Sequence, residues 1–202
     1  TSHRAARAAT KKAWIEIEKR LPLVTIEEAL AAESYIDAGP ITWAKGDVEA
    51  ALAEAHKVIE GEIEIGGQEH FYLEGQAALA VPGEAGEVTV YSSTQHPTEI
   101  QHKVAEALGL PMHSVRIAVR RMGGAFGGKE SQGNALAVAC AIAAARTGRP
   151  CKMRYDRDDD MAITGKRHDF RIKYRAGITQ AGKLTGVDFT HYVRAGWSAD
   201  LT

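Results

Sequence analysis

The residues with most chemical potential lie in two short stretches. Arg120 to Ser131 reads RRMGGAFGGKES, and Gly66 to Glu74 reads GGQEHFYLE. The first satisfies the phosphate-binding pattern G-x-x-x-x-G-K-[ST] from Gly123 to Lys129 and then breaks it, because Glu130 stands where a serine or threonine hydroxyl would meet Mg²⁺. A carboxylate there would face the phosphate charge. Nor is Lys152-Met153-Arg154-Tyr155-Asp156 the apolar strand ending in a magnesium-binding aspartate that a nucleotide site also needs. Nucleotide binding is disfavoured on both counts. Two readings of the loop stay open: a tight strand-to-helix turn, or backbone amides brought close to a bulky anionic ligand by four glycines around Phe126. In the second stretch Gln68, Glu69, His70 and Glu74 stand among apolar residues. Singly, each reads as a satisfied amide, a core or surface histidine, or a solvated charge; together they are an unusual polar cluster.

These stretches need elements to position them. Alanine and basic residues predict a helix over 4–12, and the alternation AWIEIE predicts a strand over 13–18. Thr25 with Glu28 three residues on reads as a capping box, and Asp47 as the N-cap of a helix over 48–55. A strand over 58–65 ends at Gly66-Gly67. Strands over 71–81, 87–93, 115–121 and 151–155 then alternate with helices over 97–108 and 131–146, and a hairpin pairs 170–178 with 184–193. Pro97 and Gly109 mark the ends of one helix, and Gly148 the end of the other. In helix 131–146, Ala135, Val138, Ala139, Ile142 and Ala143 form a small-residue face suited to packing on a sheet. The pattern predicts an α+β fold of layered mixed sheets with packed helices, and any domain boundary falls near Gly39-Pro40 or Gly66-Gly67. The glycine loop then lies between a strand and a helix.

With 45% hydrophobic residues among 202, the chain has material for a core, and its formal net charge of -1 gives no whole-chain electrostatic reason to expect nucleic acid or an anionic membrane as partner. No apolar run suits a membrane span or a secretory signal, so a cytoplasmic location is expected. Cys140 and Cys151 lack the number and spacing of a disulfide framework or zinc site, and Cys140 reads as a small core residue. The chain opens on Thr1 and stops at Asp200-Leu201-Thr202 with no closing element expected, as a piece of something longer would.

GGQEHFYLE at 66–74, STQHPTEIQ at 93–101, RRMGGAFGGKE at 120–130 and TGRPCKMRYDRDDDMAITGKRH at 147–168 together resemble the molybdenum hydroxylase family. Within it the likeness is strongest to the molybdopterin-binding large subunit of the bacterial xanthine dehydrogenases. The resemblance implies that residues 1–40 end an N-terminal α/β domain and its connector, and that 41–202 are the first part of a molybdopterin-binding domain. It implies a molybdenum-molybdopterin cofactor, hydroxylation of a purine (hypoxanthine or xanthine, to urate) with water as oxygen source, and electrons passing to NAD through 2Fe-2S clusters and FAD on a partner chain or segment. Gln68 would donate its amide to an oxygen ligand of molybdenum. Phe126, its main chain beside the metal, would wall the site. Gly124 and Gly127 would let backbone approach the pterin, and Glu130, protonated through burial, would bind the substrate and act catalytically by hydrogen-bonding its ring. Ala125 departs from the glycine often found there in the family, and the family's general-base glutamate falls beyond residue 202. A hetero-oligomer with an iron-sulfur/FAD subunit is implied. The alternatives are an aldehyde oxidase-type hydroxylase and a non-catalytic assembly module of the same fold.

Overall fold

The computed structural model describes residues 2–36 and 39–196, and the chain end at Asp200-Leu201-Thr202 lies outside the described residues. Two units are distinguished, Thr1–Tyr35 and Ile36–Thr202. The first contains helices α1 (His3–Thr10) and α2 (Ile26–Ala31). Ser2 caps α1 by accepting from the Ala5 amide, and the Thr25–Glu28 capping box forms in full, with Glu28 Oε2 taking the Thr25 amide at 3.0 Å. The strand expected over 13–18 is not formed. Alternation specifies a strand only where a partner ladder and a buried face exist. Among the described residues this unit contains no other strand, and Trp14, Ile15 and Ile17 are exposed.

The second unit contains α3 (Val48–Ala53), β1 (Lys57–Ile65), β2 (Ala77–Pro82), β3 (Val88–Ser92), α4 (Pro97–Leu108), β4 (Val115–Ala118), α5 (Asn134–Thr147), β5 (Cys151–Arg154), α6 (Arg157–Ile163), β6 (Asp169–Ile178) and β7 (Leu184–Arg194). Two sheets result, one in the order β1-β6-β7 and one in the order β4-β3-β2-β5, where β3 and β4 run parallel and the other pairs antiparallel. This is an α+β architecture. The core lies where α4 and α5 cover the four-stranded sheet: Ala78, Ala80, Val88 and Val90 meet Ile100, Val104, Leu136, Ala137 and Cys140. Cys140 is buried as expected, its thiol donating to Ala78 O at 3.6 Å. On the other sheet, the facing glycines Gly177 and Gly186 make a saddle for α3, because a Cβ on Gly186 would lie 2.8 Å from Ala51 Cβ. Arg175 then ties α3 to the sheet through Glu49 and Asp188.

Two expectations are corrected here. The strand expected from residue 71 starts at Ala77, because Tyr72 and Gln76 spend polar groups on Asp160 of α6 and Glu74 on Ser93, outside any ladder. The face of α5 that packs is also not the one expected: Leu136, Ala137, Cys140, Ala141 and Ala144 are buried, whereas Ala135, Ala139 and Ile142 are exposed. This helix is apolar nearly all round, so periodicity could not choose its inner side. Helix α6, absent from the sequence reading, has its own signals: Asp156 Oδ1 accepts from the Asp159 amide at 2.9 Å, and Asp158, Asp159 and Asp160 fill the first turn.

Candidate cofactor-binding site

The four motif segments converge on one buried polar network. Lys129, with no exposed surface, donates from Nζ to Ser93 Oγ at 2.7 Å and to Glu74 Oε2 at 3.1 Å, and lies 4.6 Å from the centre of the Tyr72 ring. Tyr72 in turn donates its hydroxyl to Asp160 Oδ1 at 2.6 Å. Asp160 Oδ2 accepts the Gln76 amide at 2.8 Å, while the Gln76 side chain donates to Tyr72 Oη and to Gly128 O. Arg157, at the start of α6, donates to the carbonyls of Tyr72 and Leu73. Burial pushes the Lys129 ammonium below the usual lysine range, against the pull of Glu74. Burial alone would raise Glu74, but the Ser93 hydroxyl, the Gly123 amide and Lys129 outweigh it and hold the carboxyl low. Burial, reinforced by the hydrogen bond to Asp160, pushes Tyr72 up to about 12.

The glycine loop is held in an unusual conformation. Gly124 and Gly127 have φ of 93° and 91°, and Phe126 between them has φ of 55°, the left-handed region where a bulky side chain is strained. Gln95 stabilises the turn: its Oε1 accepts from the amides of Gly127 at 3.1 Å and Lys129 at 3.3 Å, and its own amide donates to Lys129 O at 2.9 Å. This geometry removes the phosphate reading. The lysine that would reach a phosphate is sequestered under the loop, two of the amides that would cradle one are occupied by Gln95, and α5 begins only at Asn134.

An open cleft of about 460 Å³ runs past the loop, lined by His70, Gly127, Gly128, Gln132 and the segment from Gly165 to His168. Of the residues singled out in the sequence, His70 borders this cleft and so does Gly127. A Cβ there would meet only His70 Nε2, at 3.9 Å, so the main chain itself faces the space. Gln68 anchors the rim through a two-bond bridge in which its amide and carbonyl pair with those of Arg167, each at 3.0 Å. Lys166 pairs with Glu69 at 2.8 Å, and Arg167 donates to Gly66 O. Gly124 is turned toward protein, where a Cβ would lie 3.1 Å from the Phe126 ring. Phe126 is 74% exposed and Glu130 is half-buried. Among the described residues neither the Gln68 nor the Glu130 side chain enters a hydrogen bond, and the two do not contact each other. Sequence reasoning missed Gln95, Tyr72, Lys129 and Asp160 as the supports of this site. The signal for Gln95 was its place inside the STQH stretch, and for Asp160 its place in the acidic run after Asp156.

The residues suit a large planar ligand brought close to backbone. Gly127 leaves a cradle that any side chain would fill, and an exposed aromatic stands beside it. Among the described residues no group of three His, Cys, Asp or Glu side chains is placed to hold a metal. The family match is direct: a model of the molybdopterin cofactor-binding domain matches residues 30–202, and the chain belongs to that family. It is 47% identical, over 95% of its length, to a xanthine dehydrogenase of Calliphora vicina, and 44% identical over 98% to a xanthine dehydrogenase/oxidase of Gallus gallus. The chain spans 14% of the length of each. Among solved structures, aldehyde oxidoreductase from Desulfovibrio gigas superposes with a TM-score of 0.79 at 27% identity, covering 95% of this chain and 22% of that one. Quinoline 2-oxidoreductase from Pseudomonas putida 86, with a TM-score of 0.81 at 20% identity over 94% of this chain and 25% of that one, shares the fold.

Proposed function

We propose that this chain is the part of a xanthine dehydrogenase-like molybdenum hydroxylase that presents Gln68 and the glycine loop to a molybdenum-molybdopterin centre. The observation that carries the reading is the match of nearly the whole chain, at 44–47% identity, to xanthine dehydrogenases. In this reading residues 1–40 end a preceding α/β domain with its connector, and 41–202 begin the cofactor-binding domain.

When bound, the cofactor supplies the two-electron oxidation that hydroxylates a ring carbon with oxygen from water. The chain's own residues bind and orient. Gly127 would admit the pterin against main chain, and the Gln68 amide would help hold the metal centre by an uncharged hydrogen bond. The Phe126 ring restricts a flat substrate to few poses. Glu130 hydrogen-bonds the ring of the substrate and orients it. A hydrogen-bonding carboxyl facing the substrate suits a nitrogen heterocycle better than an aldehyde, although the likeness to an aldehyde oxidoreductase keeps aldehydes as a second substrate class. The proposal includes the remainder of the large subunit and a 2Fe-2S/FAD subunit as partners, NAD as acceptor and a cytoplasmic location.

Elemental analysis of the native assembly containing this chain tests the reading. About one molybdenum per copy, with NAD reduction on hypoxanthine or xanthine, is expected. Protein free of both molybdenum and pterin, from a host able to make them, sinks it; turnover of aldehydes without purines moves it to the second class.

A further inference from the structure

Glu74 stands 49 residues from Gly123 in sequence, yet Oε2 of its carboxylate accepts the Gly123 amide at 3.0 Å and the Lys129 ammonium at 3.1 Å. These are the first and last residues of the glycine loop, so one oxygen holds both of its feet. Ser93 closes the arrangement, accepting from Lys129 Nζ and donating to Glu74 Oε2, each at 2.7 Å. At the apex of the loop stands Phe126, with its left-handed backbone and exposed ring. A strained apex persists only where its surroundings over-determine it. Gln95 supplies part of that constraint through the Gly127 amide, and the carboxylate supplies the closure.

The arrangement is costly in a telling way. The ammonium is wholly buried, and 39% of the Glu74 side chain remains exposed. Removing a lysine's charge from water takes a large part of a domain's net stability, and an apolar side chain of similar length would fill the same space at less cost. A bare packing role does not account for a charge here. A clasp that must grip an amide and a second loop through the same atom does.

Resting on the cofactor-binding reading above, we infer that Glu74 and Lys129 are positioning residues: their ion pair clasps the loop from Gly123 to Lys129 and sets where Phe126 and Gly127 stand against the bound cofactor. Neither residue touches substrate or metal in this role. Neutralising the clasp frees the feet, and Phe126 then relaxes out of its left-handed conformation.

The test uses the full-length enzyme as wild type, Glu74→Gln, Lys129→Met and the double variant, which buries no unpaired charge. Three quantities are read alongside thermal stability: hydrogen exchange of a peptide covering 122–130, the paramagnetic resonance spectrum of the partly reduced metal centre, and the steady-state kinetics with kcat and KM separated. Glu74→Gln is expected to speed exchange of that peptide, alter the spectrum and lower kcat at least about tenfold with KM little changed. The double variant should regain thermal stability but neither the rate nor the spectrum. Recovery of all three in the double variant would make the pair merely structural, and unchanged exchange in Glu74→Gln overturns the clasp whatever the metal content. If Lys129→Met does not fold, Ser93→Ala keeps the ion pair, removes one strand of the clasp and carries the same expectation at smaller size. A wild type devoid of molybdenum overturns the hydroxylase reading instead, and exchange alone then decides the clasp.

Discussion

Gln68, bridged through its backbone to Arg167, and Glu130, next to the buried Lys129, have side chains that enter no hydrogen bond among the described residues. Their proposed roles separate in a simple experiment. Glu130→Ala in the full enzyme is expected to slow purine turnover at least about tenfold, since roughly 1.4 kcal/mol is the smallest transition-state contribution worth the name. Gln68→Ala should retain the metal and lose activity, because an outer contact tunes a centre without anchoring it. Unaltered kinetics in the first, or loss of molybdenum in the second, contradicts the assignment. Tyr72 offers a pH signature of the network beneath them. Its folded pKa of about 12 stands above the ordinary 10.0, so the neutral phenol is favoured by folding. The stability this contributes is complete below pH 10 and is lost as pH rises through about 12. The difference in tyrosinate absorbance between the wild type and Tyr72→Phe should therefore show one phenol ionising last, and an ordinary titration for it would refute the buried bond to Asp160.

At the scale of elements, the close approach of α3 to the β6–β7 hairpin gives a prediction in which two effects oppose. Replacing a strand glycine with alanine normally stabilises by about 0.5–1 kcal/mol through chain entropy. At Gly186 the new Cβ would lie 2.8 Å from Ala51 Cβ, and overpacking of this kind costs about 1–3 kcal/mol. Gly186→Ala is therefore expected to destabilise, measured as a lower denaturant midpoint at unchanged slope; a gain would show that α3 moves freely. Helices α2, α3 and α4 were legible because their caps are written locally, in Thr25 with Glu28, in Asp47, and in Pro97 with Gly109. The segments 13–18 and 71–76 were misread for one physical reason: alternation and aromatic content describe a strand's fitness, and pairing is decided by what else is near. Trp14 to Ile17 find no ladder, and Tyr72 to Gln76 find better partners in Asp160, Lys129 and Ser93. The position of the site was legible through its glycines and GGQEHFYLE. Its supports were not, because Lys129 to Glu74 and Tyr72 to Asp160 join residues 55 and 88 apart in sequence, and no local pattern encodes such a meeting.

The molecule as a whole spans 14–15% of the xanthine dehydrogenases it matches, and its surface reads accordingly. Trp14, Trp43, Leu73 and Phe126 are 84%, 93%, 91% and 74% exposed, and aromatic and leucine side chains so placed favour burial against further protein. The cleft beside Gly127 is open, lined on this chain by His70, the glycine loop with Gln132, the segment from Gly165 to His168, and Phe170 and Val193 of β6 and β7. A pterin seated there would keep one side in water, whereas cofactor sites bury most of their ligand. Residues 1–202 produced alone are thus expected to bind a hydrophobic dye strongly, to associate at high concentration, and to be purified with less than about a tenth of a molybdenum per chain. Co-production with the rest of the large subunit should abolish dye binding and restore the metal. Metal analysis and dye fluorescence on the same two preparations check both halves, and an isolated chain that stays monodisperse, ignores the dye and retains stoichiometric molybdenum would mean that this segment closes its own site.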